Sequence, residues 1–283
     1  MKKNALISNL FNNLNLPNDR VRLWELQYQN LAEKCDADFF NFSITDNGSI
    51  SKNYTKALSD CFGKKQVITK INQLSMLDEI DKCFAQGYEW VFAMDADIVI
   101  NPNADFDIKK CNKNVVYFAS VSKNLSGRLE FLPNLKNDFL EKHSLKYGNQ
   151  GVFLINKIVW NSIKNTLVDF EEITKYSKSN SIKTFFNRGE QEIVSMALTL
   201  NNIAIDQIPN KENLFLHFVG YHIQEYKDTY EIDDVRFAEL VEAFVNSIDA
   251  EISKRNLEWF PLLFHHFNLT PNEKQKLYQK NLK

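Results

Sequence analysis

The stretch YEWVFAMDADIVI, Tyr88 to Ile100, decides the fold. Trp90 to Met94 is an unbroken apolar run, rich in branched and aromatic residues, which reads as a strand covered on both faces. Two carboxylates follow at once, Asp95 and Asp97. Carboxylates are rarely buried without a partner. The pair is therefore expected at the carboxyl end of the strand, facing a crevice that holds something positive.

Alternating helical and strand patterns surround this run. Ala5–Leu10 and Asp36–Ile44 read as two earlier strands. Between them, Val21, Leu23, Trp24, Leu26, Tyr28 and Leu31 give Asp19–Lys34 a broad helical apolar face. From about Lys65 to Gln86 a longer helix carries Val67, Ile68, Ile71, Leu74, Met76, Leu77, Ile80 and Phe84 on one side, and Gly87 closes it. Downstream, Val115–Val121, Arg128–Leu135, Gly151–Ile155, Ile203–Ile208 and Leu214–Val219 read as strands, with helices from Lys157 and over Gln191–Leu200. This alternation predicts an α/β sheet with helices on both faces, and a helical tail from Asp233. In such sheets ligands bind outside the carboxyl ends of the strands, so Asp95 and Asp97 stand at the mouth.

Composition narrows the function. The chain has 283 residues, 44% hydrophobic, enough for a substantial core in one large domain. A net charge of −2 gives no general attraction to nucleic acid or to acidic membranes. Cys35, Cys61, Cys83 and Cys111 form no CxxC pair and no Cys-His cluster, so neither zinc nor a disulfide framework is expected. The start lacks an apolar signal core and no apolar run approaches the length of a membrane span. A cytoplasmic protein is expected.

Two carboxylates at i and i+2 can converge when the chain turns, offering hard oxygen ligands to Mg²⁺ or Mn²⁺. A substrate diphosphate would complete the shell. At this point the sequence resembles the GT-A glycosyltransferases, whose Asp-x-Asp binds a divalent metal and a nucleotide-diphosphate sugar. Three further stretches are similar to retaining families 8 and 34. YGNQGVFLIN (residues 147–156) matches their Asn-x-Gly before a hydrophobic strand, through Asn149 and Gly151. NRGEQEIVSMAL (187–198) matches in kind their Asp-Gln-Asp at the start of a helix, with both acids lengthened to Glu. LFLHFVGYH (214–222) matches their His-Phe-x-Gly through His217 and Gly220. The Lys-Pro-Trp that follows in family 8 is replaced by Tyr221-His222-Ile223.

The resemblance covers roughly Ala5 to His222. It implies an α/β GT-A (Rossmann-like) fold, with a central mixed, mostly parallel sheet flanked by helices, and roles residue by residue. Asp95, Asp97 and His217 would hold the metal, Mn²⁺ or Mg²⁺. Asn149, Gly151, Gly220 and Ala96 would line the donor, with Lys70 on the preceding helix and Ser8 and Asn9 at the end of the first strand. Gln191 would stabilise the oxocarbenium-like centre, with Glu190 as the alternative for a covalent intermediate. A hexosyl- or pentosyltransferase acting with retention is implied, its acceptor a glycan or lipid-linked hydroxyl in surface polysaccharide biosynthesis. The implied partition is a catalytic domain over 1–225, with a nucleotide-sugar half to about 105 and an acceptor half to 225, and a helical extension over 226–283. The aromatic, lysine-rich end of that extension (EWFPLLFHHF, 258–267) offers peripheral contact with the inner membrane face. Two other readings share the Asp-x-Asp: a haloacid-dehalogenase-like phosphatase, and a non-catalytic sugar-nucleotide-binding protein.

Overall fold

The structure, a computed structural model, describes residues 2–8, 25, 28–42, 48–95, 98–100, 106–121, 135–178, 182–184, 190–210 and 214–217. Among the described residues, six strands form the central sheet: β1 (Asn4–Ser8), β2 (Ala37–Asn41), β3 (Trp90–Met94), β5 (Val115–Val121), β6 (Gly148–Asn156) and β7 (Ala204–Gln207), in the order β2-β1-β3-β6-β5-β7. The pairs β1/β2, β1/β3 and β5/β7 are parallel, while β6 runs antiparallel to both of its neighbours. This is the mixed, mostly parallel sheet that the resemblance implies. A separate two-stranded ladder joins β4 (Ile98–Ile100) to β8 (Phe215–His217).

All five residues of β3 are buried, as a central strand with helices on both faces requires. On one face Ala5, Ile7, Val91, Ala93, Phe118, Phe153 and Ile155 meet the main core. Helices α2 (Ser49–Cys61), α3 (Lys64–Ala85), α5 (Lys157–Val168) and α7 (Glu190–Leu200) supply the rest of that core. The shorter helices α4 (Asn137–Lys142) and α6 (Phe170–Thr174) add Phe139 and Ile173 to it. On the other face Leu6, Phe92, Leu154 and Tyr117 lie in register across four strands. There Phe106 meets Phe92, and Tyr28, on the helical stretch 28–34 (α1), meets Phe39 of β2.

The predicted end of α3 is bonded as a left-handed glycine cap. Gly87 has φ 101°, its N–H donates to the Phe84 carbonyl, and Tyr88 N–H donates to the Cys83 carbonyl. Apart from Arg128–Leu135, each expected strand has a counterpart, Val115–Val121 with the expected ends, and β6 begins at Gly148 rather than Gly151. Of the Arg128–Leu135 strand only Leu135 lies among the described residues, where it forms an isolated bridge to Ser177. The helical tail, Gly220 and the proposed membrane contact lie outside them. No helix among the described residues is long and apolar enough to cross a membrane. The four cysteines are unbridged, and burial pushes the Cys35 and Cys83 thiols up to about 12 and Cys111 to about 11.

Candidate functional site

One edge of the sheet gathers the ends of several strands. There β1 ends at Ser8, β2 at Asn41, β3 at Met94, and the antiparallel β6 begins at Gly148. Ser8 is in register with both Asn41 and Met94. Its hydroxyl is fully buried and has no hydrogen-bond partner among the described residues.

The chain leaves β3 at Asp95, the first of the two carboxylates, beside a deformation of β6. Phe118 pairs with Phe153 and Ser120 with Asn149, so Gln150, Gly151 and Val152 stand opposite Ala119 alone. Such bulges bend a strand and re-aim its residues, and they recur next to active sites. This one is held from within, because Asn149 Oδ1 accepts from Gly151 N–H at 2.9 Å. It is also tied to the end of β3, because Asp95 N–H donates to the Gly151 carbonyl at 2.8 Å. Asn149 thus spends its amide oxygen on the loop. Gly148 has a packing reason as well: a Cβ there would lie 2.4 Å from the Phe118 ring.

The chain is described again from Ile98, in the small ladder. Ile98 is in register with His217, and the buried Ile98, Ile100 and Phe215 anchor the two strands. Asp95 thus follows a strand of the main sheet, and Ile98 begins a strand of the small one. Tyr28 connects them: its hydroxyl lies 2.7 Å from the Asp95 carbonyl and 3.2 Å from the Ile98 carbonyl. In sequence Tyr28 is one more aromatic on an amphipathic helix, and nothing local marks it.

Helix α7 supplies the third part. Glu190 and Gln191 open it and are half-buried, while Glu192 is fully buried. Acids in a first turn also suit the positive end of the helix dipole. Gln191 Nε2 donates to the Tyr147 hydroxyl at 2.5 Å, and its carbonyl accepts from Gln150 Nε2 at 3.4 Å. The start of α7 is thereby bonded to the same β6 loop that meets Asp95. Sequence reading passed over Tyr147 and Gln150, although both stand within the Asn-x-Gly stretch.

The expected residues fall into two groups. Asp95, Asn149, Gly151 and Gln191 are joined by the β6 loop, and Ser8 shares that edge of the sheet. His217 is brought by backbone register to Ile98, and Lys70 is on α3; for both, the backbone is described. Asn9, Ala96, Asp97 and Gly220 lie outside the described residues.

For a divalent cation, the donor chemistry fits. Carboxylate oxygens from an Asp-x-Asp turn with one imidazole suit Mn²⁺, and carboxylate with phosphate suits Mg²⁺. Among the described residues no group of three or more His, Cys, Asp or Glu could hold a metal ion.

No family model matches the sequence. No curated protein matches it. Among solved structures, the crystal structure of a glycosyltransferase involved in the glycosylation of the major capsid of PBCV-1 is similar, with 12% identity and a TM-score of 0.43. The match covers 84% of this chain and 98% of that one. At that level of likeness nothing about the reaction carries over.

Proposed function

We propose that the protein is a glycosyltransferase that moves a sugar from a nucleotide-diphosphate donor to a hydroxyl acceptor, with retention of configuration. One observation carries the reading. Asp95, which opens the carboxylate turn, is hydrogen-bonded to Gly151 of the β6 bulge, and that same bulge is bonded to Gln191 at the head of α7. Three motifs spread over about a hundred residues of sequence thus converge on one edge of an α/β sheet, where such folds bind ligands.

Asp95, Asp97 and His217 would hold Mn²⁺ or Mg²⁺. When bound, the ion supplies Lewis-acid neutralisation of the departing diphosphate. The chain's own residues do the rest. Tyr147 engages the amide nitrogen of Gln191, which leaves the amide carbonyl as the end suited to a developing positive charge. In the reaction the anomeric carbon–phosphate oxygen bond breaks, the acceptor oxygen bonds the anomeric carbon on the same face, and the acceptor proton passes to the leaving phosphate. Glu190, beside Gln191, is the alternative nucleophile for a two-step route. Hexosyl or pentosyl donors, a surface-glycan or lipid-linked acceptor, and action at the cytoplasmic face of the membrane complete the proposal.

The test is Mn²⁺-dependent release of nucleoside diphosphate from a panel of nucleotide sugars, in wild type and Asp97→Ala. Turnover of one donor, lost in the variant, supports the transferase and names the sugar. Metal-dependent phosphate release from phosphomonoesters, with no donor turned over, would replace it with a phosphatase. Tight donor binding with no turnover, even when acceptor extracts are supplied, would favour the non-catalytic binder.

A further inference from the structure

We infer that the end of the sheet opposite the candidate site docks on an anionic lipid surface. The backbone register sets Ala37, Asn4, Trp90 and Asn156 in one row at that end. Glu89 joins the strand ends: its N–H donates to the Lys3 carbonyl at 2.7 Å, and its carbonyl accepts from Lys157 N–H at 2.9 Å. Lysines cluster around this row. Lys2 and Lys3 lead into β1, Lys34 stands shortly before β2, and Lys157 follows β6. Lys2 Nζ donates across to the Ala37 carbonyl at 3.0 Å. Lys113 reaches the same end, its Nζ 4.0 Å from the Glu89 carboxylate, and Lys109 and Lys110 precede it on a 3-10 turn. Lys3, Lys34, Lys109, Lys110 and Lys113 are exposed. Glu33, Asp36, Glu89 and Asp107 share the face, so the lysines outnumber the acids by three.

The chemistry of this face favours lipid over another polyanion. Beside Lys157, Ile158 is 55% exposed, the large hydrophobic side chain left in solvent among the described residues. It stands at the amino terminus of α5, whose peptide dipoles add positive potential to the same face. Lysines around an exposed apolar residue suit a bilayer: the ammonium groups meet the headgroups, and the apolar tip enters the boundary with the acyl chains. Among the described residues of this face no aromatic ring is exposed on which a nucleic-acid base could stack. The net charge of −2 averages the asymmetry away, so it is invisible in the composition. Docked by this end, the candidate site faces away from the bilayer by at least the length of β3, about 16 Å. An acceptor hydroxyl must stand that far out to be reached. The docking itself does not rest on the transferase reading.

The experiment sediments the full chain with vesicles of phosphatidylcholine alone, and of phosphatidylcholine mixed with phosphatidylglycerol. Binding is expected to the mixed vesicles only, weakening as salt is raised. Lys109→Ser/Lys110→Ser should lower it roughly thirtyfold, at about fivefold for each lysine. Lys52→Ser/Lys56→Ser, an equal change of charge on exposed lysines of α2, should leave it unchanged. All four positions are exposed, so thermal midpoints should stay near wild type. Absence of wild-type binding to the mixed vesicles overturns the inference, and so does equal binding to phosphatidylcholine alone. Binding that survives Lys109→Ser/Lys110→Ser assigns the contact to another surface and overturns it as well. An equal loss in Lys52→Ser/Lys56→Ser reduces the effect to the charge of the whole molecule, with the same consequence. Lysine-dependent binding of a single-stranded RNA homopolymer, without vesicle binding, replaces lipid by nucleic acid. Turnover of nucleotide sugars is measured without vesicles, so the transferase reading stands or falls separately.

Discussion

Helix α2 begins without a cap of its own. Gly48, the residue before it, offers no side chain, and the carboxylate of Asp78 on α3 does the work instead. Asp78 Oδ1 accepts from Ile50 N–H at 2.7 Å and Oδ2 from Ser51 N–H at 3.1 Å. A Cβ at Gly48 would sit 1.9 Å from the Asp78 carboxyl carbon, so the glycine is what lets the acid approach. Ile50 and Ser51 are both fully buried, so water is a poor substitute for the lost acceptors in Asp78→Ala. Losing a helix N-cap costs about 0.5–2 kcal/mol, and bonds to a charged acceptor about 1.5–3 kcal/mol, so roughly 2 kcal/mol of destabilisation is expected. At about 2–4 °C per kcal/mol for a domain near this size, the midpoint should fall by about 4–8 °C. Urea denaturation and calorimetry of wild type, Asp78→Ala and Asp78→Asn measure it. Asn retains one oxygen acceptor and should lose about half as much. A loss below about 0.5 kcal/mol in Asp78→Ala, the level of an ordinary surface change, would refute the capping argument.

Three further outcomes are expected. Tyr147→Phe, which takes the hydroxyl from Gln191 Nε2, should lower kcat roughly tenfold while leaving the Mn²⁺ requirement unchanged; an unaltered kcat would separate Tyr147 from the chemistry. Gly148→Ala forces a methyl against the Phe118 ring and should cost about 1–3 kcal/mol, with partial recovery in Gly148→Ala/Phe118→Leu; an Ala variant as stable as wild type would mean that the β6 loop adjusts freely. Stability should also decline as the solution turns alkaline. Burial holds the Cys35 and Cys83 thiols at about 12, whereas in the unfolded chain they ionise near their ordinary value. Between the two the folded state binds more protons, so stability is full below about pH 8.5 and falls as pH rises toward about 12, by up to about 1.4 kcal/mol per pH unit for each thiol. Urea midpoints across that range check the sign, and Cys35→Ala/Cys83→Ala should flatten the slope.

The local elements were legible where one stretch carried its own signal. The apolar run of β3 reads as a covered strand, and the apolar periodicity of α3 ending at Gly87 marks both the helix and its stop. Helix α2 was passed over, although Ile50, Tyr54, Ala57, Leu58 and Cys61 recur at helical spacing. Its polar residues dilute the pattern, and its cap is an acid on another helix. The Asp-x-Asp, the Asn-x-Gly and the Glu-Gln-Glu were each visible as short motifs.

Their meeting was not legible. The antiparallel direction of β6 puts its beginning, rather than its end, beside Asp95. The shift in register opposite Ala119 then turns that beginning into a loop that also reaches α7. Ile98–Ile100 is a short apolar run just past the carboxylates, and nothing local says that it pairs with Phe215–His217 outside the main sheet. Tyr28 reads as core because burial and hydroxyl geometry are independent, and only the fold decides which carbonyl a buried phenol meets. By itself, then, the sequence determined what is periodic or contiguous: the strands and the helices, set by local sterics and by burial of one face. Strand order, register and the neighbours of each polar atom are settled by long-range pairing, whose energy depends on residues distant in the chain, and only the tertiary structure decided them.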